Sequence, residues 1–223
     1  LFRFLNSRAP QSLEGFEIIP ATCLTSVLRH IPDTRSPLEG AHRWHVLIEI
    51  VRDHPDAQNP RSVIEGLLAT ALERDLIEDA TLATSERQAE DFWKIRDSIS
   101  EAERANGPAL QHDISVPVPG MAGFINEASP IIEAKFPGTE VLAFGHMGDG
   151  NVHLHVKAPP GAQSRDWARE YAQKITPLVH DLVIAASSDA RLSVLRAIKT
   201  AIDPKNIMNP GKLVPLASDQ SGS

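Results

Sequence analysis

At 223 residues, with 42% hydrophobic and 23% charged positions, the chain has an ordinary globular composition and enough length for a substantial core, as one large domain or two small ones. Its formal charge of −7 argues against a nucleic-acid partner, which needs clustered Lys and Arg. The single cysteine, Cys23, excludes an intrachain disulfide and makes a reducing compartment, the cytoplasm, the expectation. No apolar run approaches the roughly 18 residues of a membrane span, and no basic-then-apolar leader precedes the first element.

In chain order, Trp44–Val51 reads as a strand. Between Asn59-Pro60 and Asp79 the apolar residues Val63, Leu67, Leu68, Ala71, Leu72 and Leu76 recur at helical spacing. A second helix opens at Ser85, where Gln88 completes a capping-box pattern, and buries Phe92, Ile95, Ile99 and Ala102 before stopping at Asn106-Gly107-Pro108. Leu110–Val116 follows as a strand, Met121–Lys135 as a helix, and Glu140–Gly145 and Val152–Val156 as two more strands. The last long amphipathic segment, Asp166–Ala186, carries Trp167, Tyr171, Ile175, Leu178 and Leu182 on one face; Pro130 and Pro177 are expected to kink or divide their helices. Helices and strands alternate irregularly, and one strand pair is joined too tightly for a parallel crossover. The expected class is therefore α+β, an antiparallel sheet with helices packed on one side.

That tight connection lies within Phe144-Gly145-His146-Met147-Gly148-Asp149-Gly150-Asn151-Val152-His153-Leu154-His155. Asp149-Gly150 predicts a two-residue type I′ turn, because both residues tolerate positive φ. Counting outward then sets His146 directly opposite His153, with Cβ atoms about 4.5–5.5 Å apart. His155 shares the face of His153, while Val152, Leu154 and Val156 point the other way, into a core. Neutral imidazoles are good ligands for divalent metals, and a catalytic site usually supplies three protein ligands; two or three are visible here. The alternative is a solvated strand face carrying ordinary histidines.

Gly145–His153 resembles the signature of the C-terminal domain of the FAD-linked oxidases, a family that includes D-2-hydroxyglutarate and D-lactate dehydrogenases. Phe92–Ala102 and Ala197–Leu213, ending in Asn209-Pro210-Gly211-Lys212, resemble two further segments of the same family. The resemblance implies a ferredoxin-like substrate domain over residues 1–217, a flexible tail over 218–223, and an FAD-binding domain in cis that lies N-terminal to this chain and outside it. It also implies that His146 and His153 bind a divalent metal, zinc by preference, and that Arg96 and Ser100 contact the substrate. Arg96 has the charged planar fork that suits a carboxylate. Asn209 would return to the flavin. The implied parent reaction oxidises a small D-2-hydroxy acid to the 2-oxo acid, with FAD passing electrons to an unidentified acceptor; a homodimer is compatible with it.

Three positions depart from the family pattern. Gln111 stands where a substrate-contacting lysine is usual. His155 stands where an asparagine is usual, and could act as a third ligand, a substrate contact or an acid/base group. A glycine-rich stretch with a Glu-His-Gly triplet should follow Asp166–Ala186, yet Ala186 runs through Ser187-Ser188-Asp189 into the next helix. The expectation is a hidden break within Ala185–Ala190, where one Cα separation would far exceed the ~3.8 Å of a trans peptide. The leading reading is thus a fragment of an FAD-dependent 2-hydroxy-acid dehydrogenase, inactive by itself. A stand-alone metal-binding or oligomerisation module of the same fold, without catalysis, is the alternative. A metal-dependent hydrolase is a third reading, but Asp149 is the one carboxylate near the histidines and the turn already accounts for it.

Overall fold

Every strand that alternation indicates is present, and one more lies at the centre of the architecture. The computed structural model describes residues 1–52, 54, 58–162, 164–210 and 214; the tail 218–223 and the Gly211-Lys212 pair lie outside them. α1 (Phe2–Arg8), β1 (Leu13–Pro20) and α2 (Ala21–His30) precede β2 (Trp44–Ile50) and α3 (Pro60–Glu73). Next come α4 (Glu86–Asp97), α5 (Ile99–Ala105), β3 (Ala109–Ser115), α6 (Met121–Lys135), β4 (Glu140–His146) and β5 (Asn151–Lys157). The described helices end with α7 (Ser164–Ala185) and α8 (Asp189–Ile202). The sheet runs β2-β1-β4-β5-β3 and every neighbouring pair is antiparallel, so the α+β class is as expected.

The packing of helices on one side is corrected. On one face, Phe16, Ile18, Ala143, Val152, Leu154 and Val156 pack with Phe124, Ile132, Ile175 and Val179 from α6 and α7. On the other, Ile19, Leu142 and Phe144 pack with Val27 of α2, Ile95 of α4, and Ile99 and Ala102 of α5. The sheet is sandwiched because its central strands alternate between two apolar sets. A strand buried on both faces reads as a continuous apolar run rather than an alternation.

Local chemistry explains the helix ends. The Asn59 side chain accepts the Arg61 N–H at 3.0 Å, with Pro60 in the first turn where no donor is missed. Ser85 accepts the Gln88 N–H at 3.2 Å, and Gln88 reaches back to the Thr84 N–H at 2.8 Å. The helix expected to reach Asp79 stops at Glu73, where Asp75 turns at φ 54° and Leu76 N–H bonds back to the Ala71 carbonyl. The single helix expected beyond Ser85 divides at Ser98 into α4 and α5. Pro130 and Pro177 lie inside helices and divide neither.

Around Ala186, where a break was expected, α7 ends and α8 begins with Ala186–Ser188 between them. Ala186 and Ser187 N–H groups bond to Leu182 and Ile184 carbonyls, and Ser188 caps α8 by accepting the Arg191 N–H at 3.3 Å. Two serines suffice to close one helix and open the next.

The β4–β5 register also differs from expectation. His146 pairs with Asn151 and Phe144 with His153, so the connection is the four residues Met147–Gly150, closed by Gly150 N–H to the His146 carbonyl at 3.2 Å. Gly150 is needed by its surroundings as well as its φ of 77°: a Cβ would lie 2.1 Å from the Val116 carbonyl oxygen. That carbonyl cannot retreat freely, because Val116 N–H donates to Gly150 at 3.0 Å. Gly150→Ala is expected to lower the unfolding free energy by about 1–3 kcal/mol, read from the urea midpoint at unchanged m-value.

Candidate functional site

β1 positions the centre of the site by placing a carboxylate inside an apolar run, Phe16-Glu17-Ile18-Ile19. A charge there must be paired, and Glu17, only 3% exposed, uses both oxygens. Oε2 accepts from Arg96 Nε at 2.8 Å and Oε1 accepts from His146 Nδ1 at 2.5 Å. Arg96 reaches it from the sheet-facing side of α4, and its Nη2 lies 3.1 Å from His146 Nε2. A guanidinium only donates, so Nε2 is the acceptor and Nδ1 carries the proton given to Glu17.

The corrected register leaves His146 and His153 on one face as diagonal rather than direct neighbours, with ring centroids 5.6 Å apart. Phe144, directly opposite His153, holds its ring 5.0 Å from His153 and 5.1 Å from His155. His153 Nδ1 lies 3.7 Å from Asp113 Oδ1. His155 is buried against Glu103 of α5: Nδ1 meets Oε2, while the second oxygen of this buried carboxylate has no hydrogen-bond partner. The face expected to be open to chemistry is therefore largely roofed by α4 and α5.

Burial pulls the His153 pKa below its ordinary value, and the neighbouring Arg96 guanidinium adds to that against the opposing pull of Asp113. His45 on β2 is lowered likewise, by burial and then by His42. A folded-state pKa below the unfolded one means the unfolded chain binds more protons, so stability rises with pH across that interval. Stability should accordingly fall as pH drops below about 6.5, the ordinary imidazole value, and His153→Gln should flatten part of that slope in urea melts taken at successive pH values.

Arg96, His146, His153 and His155 are thus brought onto one sheet face. Ser100 is half-buried on α5, beyond the Ser98 break, and no hydrogen bond joins it to Arg96 or to these histidines among the described residues. Asn209 is exposed after α8, in a turn at φ 48°, and makes no described contact with the histidine face. Glu17, Glu103 and Asp113 complete the site without having been singled out from sequence.

The donor set does not suit zinc. Among the described residues no group of three His, Cys, Asp or Glu is arranged to hold a metal. His146 has both ring nitrogens engaged, one of them facing a guanidinium that would repel a cation. As they stand, His146 and His153 do not fit the ion that the resemblance implied. Cys23 supplies no alternative, since burial first and Glu103 next push its thiol far above the ordinary range.

The model of FAD linked oxidases, C-terminal domain, matches residues 4–187 and 185–213. The chain belongs to this family. Among its relatives are D-2-hydroxyglutarate dehydrogenase, mitochondrial, of Arabidopsis thaliana, 28% identical over 91% of this chain and 38% of that protein, and D-2-hydroxyglutarate dehydrogenase of Xanthomonas citri pv. viticola, 27% identical over 94% and 48%. A putative D-lactate dehydrogenase of Schizosaccharomyces pombe is 27% identical over 96% of this chain and 44% of that protein. The chain spans less than half the length of these relatives. The family match restarts at residues 185–187, where α7 passes directly into α8.

Proposed function

We propose that this chain is the substrate-binding portion of an FAD-dependent oxidoreductase that converts a D-2-hydroxy acid to its 2-oxo acid. The observation that carries the reading is the convergence of Arg96, His146 and His153 on one sheet face, with Glu17 fixing the first two. Family membership and relatives named for D-2-hydroxyglutarate and D-lactate support the substrate class.

In this reading Arg96 binds the substrate carboxylate with the Nη N–H groups that Glu17 and His146 leave, and Glu17 restrains the guanidinium and so reduces the ordering cost of binding. His153, held neutral by burial, is suited to accept the hydroxyl proton: a proton on Nδ1, toward Asp113, leaves Nε2 as the acceptor. FAD, when bound by the portion of the protein outside this chain, supplies the hydride acceptor. No step is routed through a metal, and the final electron acceptor is not specified by these residues. A reducing compartment, the cytoplasm, goes with the same proposal on the strength of the buried free thiol of Cys23.

The second reading is a module that kept the fold and lost turnover; the family match that restarts at residues 185–187 is the observation behind it. Calorimetric titration with D-2-hydroxyglutarate separates the two. Saturable binding is expected, weakened about 10- to 100-fold in Arg96→Lys and Arg96→Met, the range set by one lost charge-assisted pair of ~1.5–3 kcal/mol. Equal heats for wild type and both variants would leave the module as the account.

A further inference from the structure

We infer that the outward face of α8, with the turn after it, is the surface on which the rest of the polypeptide docks. That occupant is the portion assigned FAD in the function proposed above, and the inference rests on that reading. A surface helix normally turns its polar side to water, and α8 does the reverse. Its exposed face is built from Ser193, Val194, Ala197, Ile198, Ala201 and Ile202, and no exposed residue between Asp189 and Lys205 carries a charge. Two of its cations are turned elsewhere: Arg191 donates to Ser115 Oγ at 3.0 Å, and Lys199 is buried. Among the described residues, half of the large apolar side chains left exposed lie between Val194 and Met208. Apolar exposure gathered in this way marks an interaction surface, whereas scattered exposure needs no explanation.

The patch is held in shape. Lys199 Nζ pairs with Asp203 Oδ2 at 2.5 Å and donates to the Met208 carbonyl, while Asp203 accepts the Ile207 and Met208 N–H groups at 3.0 and 2.8 Å. A buried ion pair thus fastens the turn to the end of α8, although Ile207 on that turn is 75% exposed. An apolar surface ordered in advance loses less entropy on docking. The small residues set among the branched ones leave grooves for the ridges of an apposed helix.

Size decides between occupants. With 14 residues, α8 is about 21 Å long and about 10 Å wide, so its face covers on the order of 200 Å². A stable dimer of two copies needs about 800 Å² from each partner, which this face does not approach. A portion of the same polypeptide is held nearby by its linkage, and its high effective concentration lets a smaller surface suffice. The chain spans 38% of the Arabidopsis thaliana relative and 48% of the Xanthomonas citri one, so more than half of each lies outside the matched part.

The test compares amide hydrogen exchange in the complete natural polypeptide and in the 223-residue chain. Exchange across residues 194–202 should be at least about tenfold slower in the complete polypeptide, and Ile198→Gln combined with Ile202→Gln should remove that protection. The same pair in the 223-residue chain should leave the urea midpoint and D-2-hydroxyglutarate binding unchanged, because both positions are exposed. Protection of α8 in a complete polypeptide that holds no flavin would uphold the docking and fault the function proposed above. Equal exchange in the two proteins, or protection that grows with the concentration of the 223-residue chain, would overturn the inference. So would a lowered urea midpoint in the double variant, or a natural polypeptide no longer than this chain.

Discussion

Glu17→Ala should destabilise the chain by about 3–5 kcal/mol, the cost of breaking a buried ion pair from one side. The substitution removes one carboxylate but strands two partners. Arg96 loses its 2.8 Å bond beneath α4, and His146 loses the acceptor that fixes its tautomer. An arginine cannot relieve the strain by deprotonating, whereas a lysine could. Adding Arg96→Met to Glu17→Leu should return most of the loss, because well-packed apolar replacements of a buried pair are often neutral or better. Urea melts of the single and double variants check this, and a loss under about 1 kcal/mol in Glu17→Ala would mean that water already reaches the pair.

Phe144→Ala is expected to cost a similar amount, about 3–5 kcal/mol, the usual range for an aromatic deleted from a packed core. Phe144 is only 2% exposed and belongs to the cluster formed with Ile95, Ile99 and Ala102. Its ring also contacts both His153 and His155, whose own ring centroids lie 6.5 Å apart. The loss should therefore appear twice: in the unfolding free energy, and as broadening of the His153 and His155 ring resonances in the folded state. Stability loss with sharp, unshifted histidine signals would show that Phe144 packs the core without ordering the site.

Much of the sheet was legible because its strands carry turn residues at their ends. Trp44–Val51, Glu140–Gly145 and Val152–Val156 each fall within a residue or so of the observed strand. β1 was not, although it lies between β2 and β4 and supplies Glu17. Its run Phe16-Glu17-Ile18-Ile19 lacks the strict alternation of a half-buried strand, because both faces are covered. The available signal was the lone carboxylate in an apolar run, which predicts a buried cationic partner. Glu103 was similarly detectable, four residues after Ile99 on a stripe that faces the core. The histidines were placed on the correct face but in the wrong register. Gly150 was read as half of a two-residue turn, whereas its approach to Val116 on β3, a contact distant in sequence, fixes the longer one.

The substrate reading stands or falls on whether a D-2-hydroxy acid meets the histidine face, which nitrogen resonances of the imidazoles report directly. On titrating the labelled chain with D-2-hydroxyglutarate, the account predicts saturable shifts at His146 and His153, smaller shifts with the L enantiomer, and none at His30, which is exposed and hydrogen-bonded to Asn106 at 2.9 Å. Equal responses to both enantiomers, or shifts at His30 with His146 and His153 unmoved, would contradict it.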